Sequence, residues 1–289
     1  MNQPAVRLLR VGDLPKAERT SDAVFLEADA RDRRVSEPEP EPRSEAGTKK
    51  WIDRMRYFLE VDPEGCWVAT DGDEIVGFAI SQNRGRVWYL ATYGVLPSHQ
   101  GQGIGKRLID ATLAHAGDRA GLFSSTVHPG ATRRYRLAGF SLYPQMRMVG
   151  TVDRATLPAI TGLHEGSESD FGWMDELDEQ RRGAGHGPDH RYLLDNNRLV
   201  VCGTRGYVYV DGSGRPALLA AADQETAEKL LWESLASSSG ETLVNCITTA
   251  NEWAVDVGLA ARLDIGQEGY LALRGMPEPA PYLAGGQFL

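Results

Sequence analysis

Residues 95–109 read Val95-Leu-Pro-Ser-His-Gln-Gly-Gln-Gly-Ile-Gly-Lys-Arg-Leu-Ile109. The stretch joins the end of an apolar strand, Leu90 to Val95, to a glycine-rich loop that opens a helix. Gly101, Gly103 and Gly105 stand at alternate positions and leave few side chains between the backbone and whatever rests on the loop. A helix start presents unpaired N–H groups and the positive end of the helix dipole. Lys106 and Arg107 add full positive charge in the first turn, where the dipole alone disfavours it. Together these features predict an anion site, for a pyrophosphate or a phosphate. Ile104, Leu108 and Ala111 share one helical face, and Gly117 marks the helix end.

Spacing separates three kinds of phosphate loop. A P-loop needs four residues between its first glycine and Gly-Lys, then Ser or Thr for magnesium. Here three residues separate Gly101 from Gly105, and Arg107 follows Lys106, so nucleotide hydrolysis is not expected. A dinucleotide fingerprint needs Gly-x-Gly-x-x-Gly and an acidic residue about 20 positions on. The third glycine comes one position early, and Asp118 follows a helix end rather than a second strand. The remaining pattern, Gln100-x-x-Gly103-x-Gly105, resembles the coenzyme A pyrophosphate loop of the GNAT superfamily of N-acetyltransferases. The resemblance assigns acetyl-CoA to Gln100, Gly101, Gln102, Gly103, Ile104, Gly105, Lys106 and Arg107. It also assigns to Tyr93 and Val95 the backbone groups that pair with the pantetheine arm.

A second signature lies about 30 residues on, in Thr132-Arg-Arg-Tyr135-Arg-Leu-Ala-Gly139-Phe140. Leu122 to Val127 reads as a short strand, His128-Pro-Gly130 as a turn, and Gly130 to Ala138 as a helix stopped by Gly139. This resembles the GNAT ending Tyr-x-x-x-Gly-Phe, and the resemblance makes Tyr135 the acid that protonates the departing thiolate. Arg133, Arg134 and Arg136 surround it, either to meet coenzyme A phosphates or as a solvated face. One departure stands out: His128 occupies the place where the family usually carries an Asn for the pantetheine arm.

The whole pattern implies an α/β (α+β) fold with a mixed, mostly antiparallel GNAT sheet flanked by helices. Val6 to Val11 reads as the first strand and Leu14 to Glu27 as a helix. Lys49 to Glu60 reads as a second helix, and Cys66 to Thr70 with Ile75 to Gln82 as a hairpin around Asp71-Gly72-Asp73. Val87 to Val95 feeds the loop, and Ser141 to Val149 closes the unit. Residues 30–48, with Glu37-Pro-Glu-Pro-Glu-Pro42, form a polar insertion expected to be mobile.

Residues 151–289 resemble a worn copy of residues 1–150. Leu199 to Gly203, Gly206 to Val210 and Pro216 to Ala222 read as strands, Glu225 to Leu235 as a helix and Thr242 to Ile247 as a strand. Ala250 to Leu259 then aligns with Ala131 to Phe140 at a constant offset of 119 residues. No glycine loop precedes the helix, and Ala254 takes the place of Tyr135. The arrangement resembles the tandem-GNAT proteins of high-GC bacteria, with the second domain walling the acceptor pocket or pairing subunits as a homodimer. His186-Gly-Pro-Asp-His190 reads as a capped helix start, with Asp189 as N-cap and Leu193 and Leu194 turned inward, and no metal is expected.

The 289 residues carry a net charge of −9, distributed unevenly. Residues 1–150 hold 21 basic and 19 acidic residues; residues 151–289 hold 10 and 21. The acidic second half argues against nucleic acid as a partner and suits a cationic amine. The start of the chain offers no apolar core for a signal peptide, and no run reaches the length of a membrane helix. Cys66, Cys202 and Cys246 have neither metal nor disulfide spacing, which fits a reducing cytoplasm.

The implied reaction is direct acetyl transfer from acetyl-CoA to a primary amine of a small molecule or peptide. In that family a Glu or His early in the strand before the loop often serves as base; the matching positions here are Tyr89 and Ala91. The alternative is a non-catalytic acyl-CoA-binding or sensing protein.

Overall fold

The computed structural model describes residues 3–33 and 38–289. A large, mostly antiparallel sheet flanked by helices is accompanied by a second, five-stranded sheet. The first half runs β1 (Ala5–Leu8), α1 (Leu14–Asp32), α2 (Glu45–Val61), β2 (Cys66–Asp71), β3 (Glu74–Arg84) and β4 (Val87–Val95). It continues with α3 (Ile104–Ala116), β5 (Ala120–Ser125), α4 (Pro129–Leu137) and β6 (Ser141–Thr151). The second half runs β7 (His164–Glu165), α5 (Phe171–Arg182), α6 (Asp189–Asn196), β8 (Arg198–Val201), β9 (Gly206–Val210) and β10 (Pro216–Ala221). There follow α7 (Gln224–Ala236), β11 (Glu241–Ile247), α8 (Trp253–Ala260), β12 (Asp264–Arg274) and β13 (Tyr282–Leu283). From β7 to β12 the order of strands and helices repeats that from β1 to β6.

The chain divides into two compact units, residues 1–83 with 90–118, and residues 84–89 with 119–289. In the first unit β1, β2, β3 and β4 are neighbours in that order. The β2–β3 hairpin turns at Gly72, whose positive φ of 57° suits glycine. Trp51, Met55 and Phe58 fall on one face of α2 and are all buried, as their helical spacing predicts. Three boundaries differ from the sequence reading. Strand β1 ends at Leu8 rather than Val11, which opens a short 3-10 turn. Helix α1 runs past Glu27 to Asp32, and α2 begins at Glu45, where Ser44 accepts the Gly47 N–H at 3.2 Å. The expected insertion is therefore shorter at both ends, and its Arg43 is anchored by Glu18 (2.6 Å) and, through its N–H, by Asp22 (2.9 Å). Residues 34–37 of that insertion lie outside the described residues.

In the second unit the first residues of β4 pair in parallel with β5, from Val87↔Ala120 to Tyr89↔Leu122. Beyond β5 the strand order is β12, β6, β11, all antiparallel. Residues 141–151 therefore do not lie beside β5. The closing strands of the two halves are exchanged: β12 lies against β5, and β6 lies between β12 and β11. The approach of β12 depends on Gly269, since a Cβ there would lie 1.6 Å from the Ser125 carbonyl oxygen. Gly258 likewise lets α8 settle on Met148 of β6, where a Cβ would lie 2.6 Å from Cγ. The smaller sheet, in the order β13-β10-β9-β8-β7, shares a core with this layer. Val208, Val210 and Leu219 meet Leu230 and Leu231 of α7, and Met148, Val244 and Leu263 complete it.

Candidate functional site

The first unit carries the glycine loop between β4 and α3. Gly101 and Gly103 both have φ of +77°, a left-handed conformation that glycine adopts without a Cβ penalty. A Cβ on either residue would meet nothing within 4 Å, so the space above the loop is open. Gly103 is the N-cap of α3 and has no side chain to satisfy the first N–H groups of the helix. Unfilled donors at a helix start, with the positive end of the dipole, favour an anion. Gly105 acts differently: a Cβ there would lie 2.2 Å from the Tyr93 hydroxyl oxygen, so this glycine makes room for Tyr93.

The other assigned residues divide by placement. Gln100 Nε2 donates to the Val95 carbonyl at 3.1 Å, tying the loop back to β4. Gln102 is exposed, with Nε2 3.4 Å from the Ser98 carbonyl. Ile104 is buried and anchors the helix start in the core. Lys106 is exposed and pairs with Asp110 one turn on. The guanidinium of Arg107 donates to the Pro4 carbonyl at 2.6 Å, so this cation is directed at the N-terminal segment.

In the second unit Tyr135 is buried on α4, its ring edge-on to Phe123 at 4.5 Å. Gly139, with φ of +88°, ends the helix as expected. His128 is the N-cap of α4, its Nδ1 accepting the Ala131 N–H at 3.2 Å. Arg133 and Arg136 are exposed, and Arg136 donates to the Phe140 carbonyl at 2.7 Å.

Asp189 departs from the sequence reading. It does not cap α6 but is fully buried, and it receives Arg84 through Nε (2.8 Å) and Nη2 (2.5 Å). The Tyr89 hydroxyl donates to the same carboxylate at 2.9 Å. The early β4 position that carries no base is thus wired to a carboxylate 100 residues away, a link with no local signal in the sequence. Leu193 is buried as expected, and Leu194 is only partly so. His186 and His190 come together with Asp178 of α5. Burial, reinforced by the nearby Arg182 charge, pushes His186 down to about 4 and leaves its imidazole neutral at pH 7.

The counterpart of the loop in the second half carries an acidic N-cap in place of glycine. At the start of α7 the Asp223 carboxylate accepts the Thr226 N–H at 2.9 Å and pairs with Arg205, placing a negative charge where a phosphate would bind.

The first unit thus sets a glycine loop, open above Gly101 and Gly103, between β4 and the start of α3 in a mixed α/β fold. Residues 26–140 match the model of the acetyltransferase (GNAT) family. The fold as a whole is similar to that of a candidate acetyltransferase from Pyrococcus horikoshii. The TM-score is 0.76 at 16% identity, over 98% of this chain and 94% of that one. It is also similar to a GCN5-related N-acetyltransferase from Kribbella flavida, with TM-score 0.60, 16% identity, 93% of this chain and 71% of that one. A GCN5-related N-acetyltransferase from Sphaerobacter thermophilus gives TM-score 0.60 and 15% identity over 96% of this chain and 98% of that one. No functionally curated protein matches the sequence. Among the described residues, no helix is long and apolar enough to cross a membrane.

Proposed function

We propose that the protein is an acetyl-CoA-dependent N-acetyltransferase that acts by direct transfer to a primary amine. The observation that carries this reading is the cradle at Gly101 and Gly103, open above and backed by the unfilled start of α3. The pyrophosphate binds these N–H groups, with Gln100, Gln102, Ile104, Gly105, Lys106 and Arg107 shaping or charging the surround. The pantetheine arm pairs with β4 backbone near Tyr93 and Val95. The amine nitrogen attacks the thioester carbon, and a backbone N–H of β4 holds the developing oxyanion. The C–S bond then breaks, and the thiolate takes its proton from the Tyr135 hydroxyl. The proton released by the ammonium passes to water or to a carboxylate. The two halves are tandem copies, residues 1–150 and 151–289, of which the first alone binds acetyl-CoA. The second serves to wall the acceptor pocket or to pair subunits.

The test is thiol release from acetyl-CoA across a panel of amines, with calorimetry of acetyl-CoA on the parent chain and on Gly103→Asp. The substitution forces a side chain into a left-handed position and sets a negative charge against the pyrophosphate. Binding is expected to weaken severely, and an unchanged affinity in a folded Gly103→Asp protein overturns the assignment. A second reading, a non-catalytic acyl-CoA binder, is favoured by the lack of a base at Tyr89 and Ala91. Binding without thiol release for any amine supports it.

A further inference from the structure

Three buried side chains of the second unit converge on a point that acetyl transfer does not use. Asp178 lies on α5, His190 on α6, and His186 in the segment between them. All three side chains are fully buried. His186 Nδ1 is 2.6 Å from Asp178 Oδ2, and His190 Nε2 is 3.3 Å from the same oxygen. One ligand atom from each residue lies within 4.8 Å of the others.

Each of these side chains is also held from behind by a tyrosine. The Tyr282 hydroxyl lies 3.2 Å from His186 Nε2, and that of Tyr209 lies 3.2 Å from His190 Nδ1. The Tyr207 hydroxyl donates to Asp178 Oδ1 at 2.7 Å. The outer atom of every member is therefore engaged, and the inner atoms are left facing one another. Outer partners of this kind orient the ligands of metal centres. His190 Nε2 is buried and makes no well-aligned hydrogen bond; it faces two carboxylate oxygens, Asp178 Oδ2 and Asp175 Oδ1, at 3.3 Å each. Asp175 Oδ1, held by the Gly187 N–H at 2.8 Å, lies 3.3 Å from that nitrogen and supplies a fourth donor.

We propose that Asp178, His186 and His190, joined by Asp175, bind one divalent transition-metal ion, Zn2+ foremost. Imidazole and carboxylate together suit Zn2+ rather than Ca2+ or Mg2+, which prefer oxygen alone. A tetrahedral centre with bonds of about 2.0–2.1 Å holds its ligand atoms about 3.3 Å apart. Two of the edges in this cluster already measure 3.3 Å. The third, His186 to Asp178 at 2.6 Å, is a proton-bridged contact that lengthens when the ion replaces the proton. Two carboxylates balance the charge of the ion, and the Arg182 guanidinium near His186 is directed to the Leu289 carbonyl. The bound ion ties α5 to α6 and, through the tyrosines, to β9 and β13, as a structural staple.

The full chain, stripped by a chelator, is titrated with Co2+ and then with Zn2+. The expected result is one equivalent of Co2+ with the visible bands of a four-coordinate centre, displaced by Zn2+, and a thermal midpoint raised by Zn2+. His190→Ala and Asp178→Asn remove ligands and should abolish the spectrum. Tyr282→Phe keeps every ligand and the ring, so it should fold and bind about 10–100-fold more weakly. A parent chain that shows neither Co2+ bands nor a Zn2+-dependent midpoint overturns the proposal. Full-strength binding in folded His190→Ala does so as well.

Discussion

Replacing Asp189 by Ala tests how the interior of the second unit is held together. Arg84 and Asp189 are about 5% and 0% exposed, so neither charge has water to fall back on. The carboxylate takes two guanidinium N–H groups and the Tyr89 hydroxyl. Removing it leaves the Arg84 charge inside the protein without this counter-ion. Breaking a buried pair from one side typically costs about 3–5 kcal/mol, a large share of a total stability of about 5–15 kcal/mol. The loss of the Tyr89 acceptor falls within that sum, because the groups act as one cluster. At about 2–4 °C per kcal/mol for a domain of 150–250 residues, the midpoint should fall by about 6–20 °C. Replacing both partners, Arg84→Met with Asp189→Leu, removes both charges. It should recover most of the loss, since burying a pair gains little over packed apolar groups. Urea melts of the parent, both single variants and the double variant measure this directly. If Asp189→Ala costs less than about 1 kcal/mol, the pair behaves as a surface ion pair and the reasoning fails. A double variant no better than the single one refutes the charge argument and leaves shape as the cause.

Three more outcomes follow from the same description. Tyr135→Phe keeps the ring on Phe123 and removes only the hydroxyl, so turnover should fall by about 10²–10⁴-fold with acetyl-CoA affinity little changed. Parent-like turnover with chemistry rate-limiting would make Tyr135 a packing residue. Calorimetry should give one acetyl-CoA per chain, because the Asp223 carboxylate already occupies the start of α7; two sites of similar affinity would contradict this. Burial pushes the thiols of Cys66 and Cys246 up to about 12, whereas Cys202 is partly exposed. A native thiol titration at pH 8 should therefore label Cys202 quickly and the other two only on unfolding. Rapid labelling of all three would show that the two buried sites open readily.

Much of the fold was legible because it rests on local rules. The glycines at 101 and 103, the α2 stripe of Trp51, Met55 and Phe58, the Asp71-Gly72-Asp73 turn and the Gly139 stop all act within a few residues. Strand β4 begins and ends where the apolar run of the chain places it. The weaker second half also showed its strands β8 to β10 and helix α7, since burial on one face leaves its period in the sequence. Tertiary structure decided everything that depends on partners far apart in the chain. Strands β6 and β12 are both eleven residues long and of mixed polarity, and no local feature says which lies beside β5. Gly269, fitting against Ser125, is meaningful only once the two strands meet. Asp189 looks like a helix cap because Asp favours that position, but a buried Arg84 outweighs a cap bond, and Arg84 is 105 residues away. Likewise the His186-x-x-x-His190 pair acquires its carboxylate from Asp178 on a preceding helix. Helical and strand periods are properties of neighbours and survive in one dimension. The pairing of buried charges and the exchange of strands are properties of three-dimensional contact, settled by desolvation and packing between segments that the sequence leaves far apart.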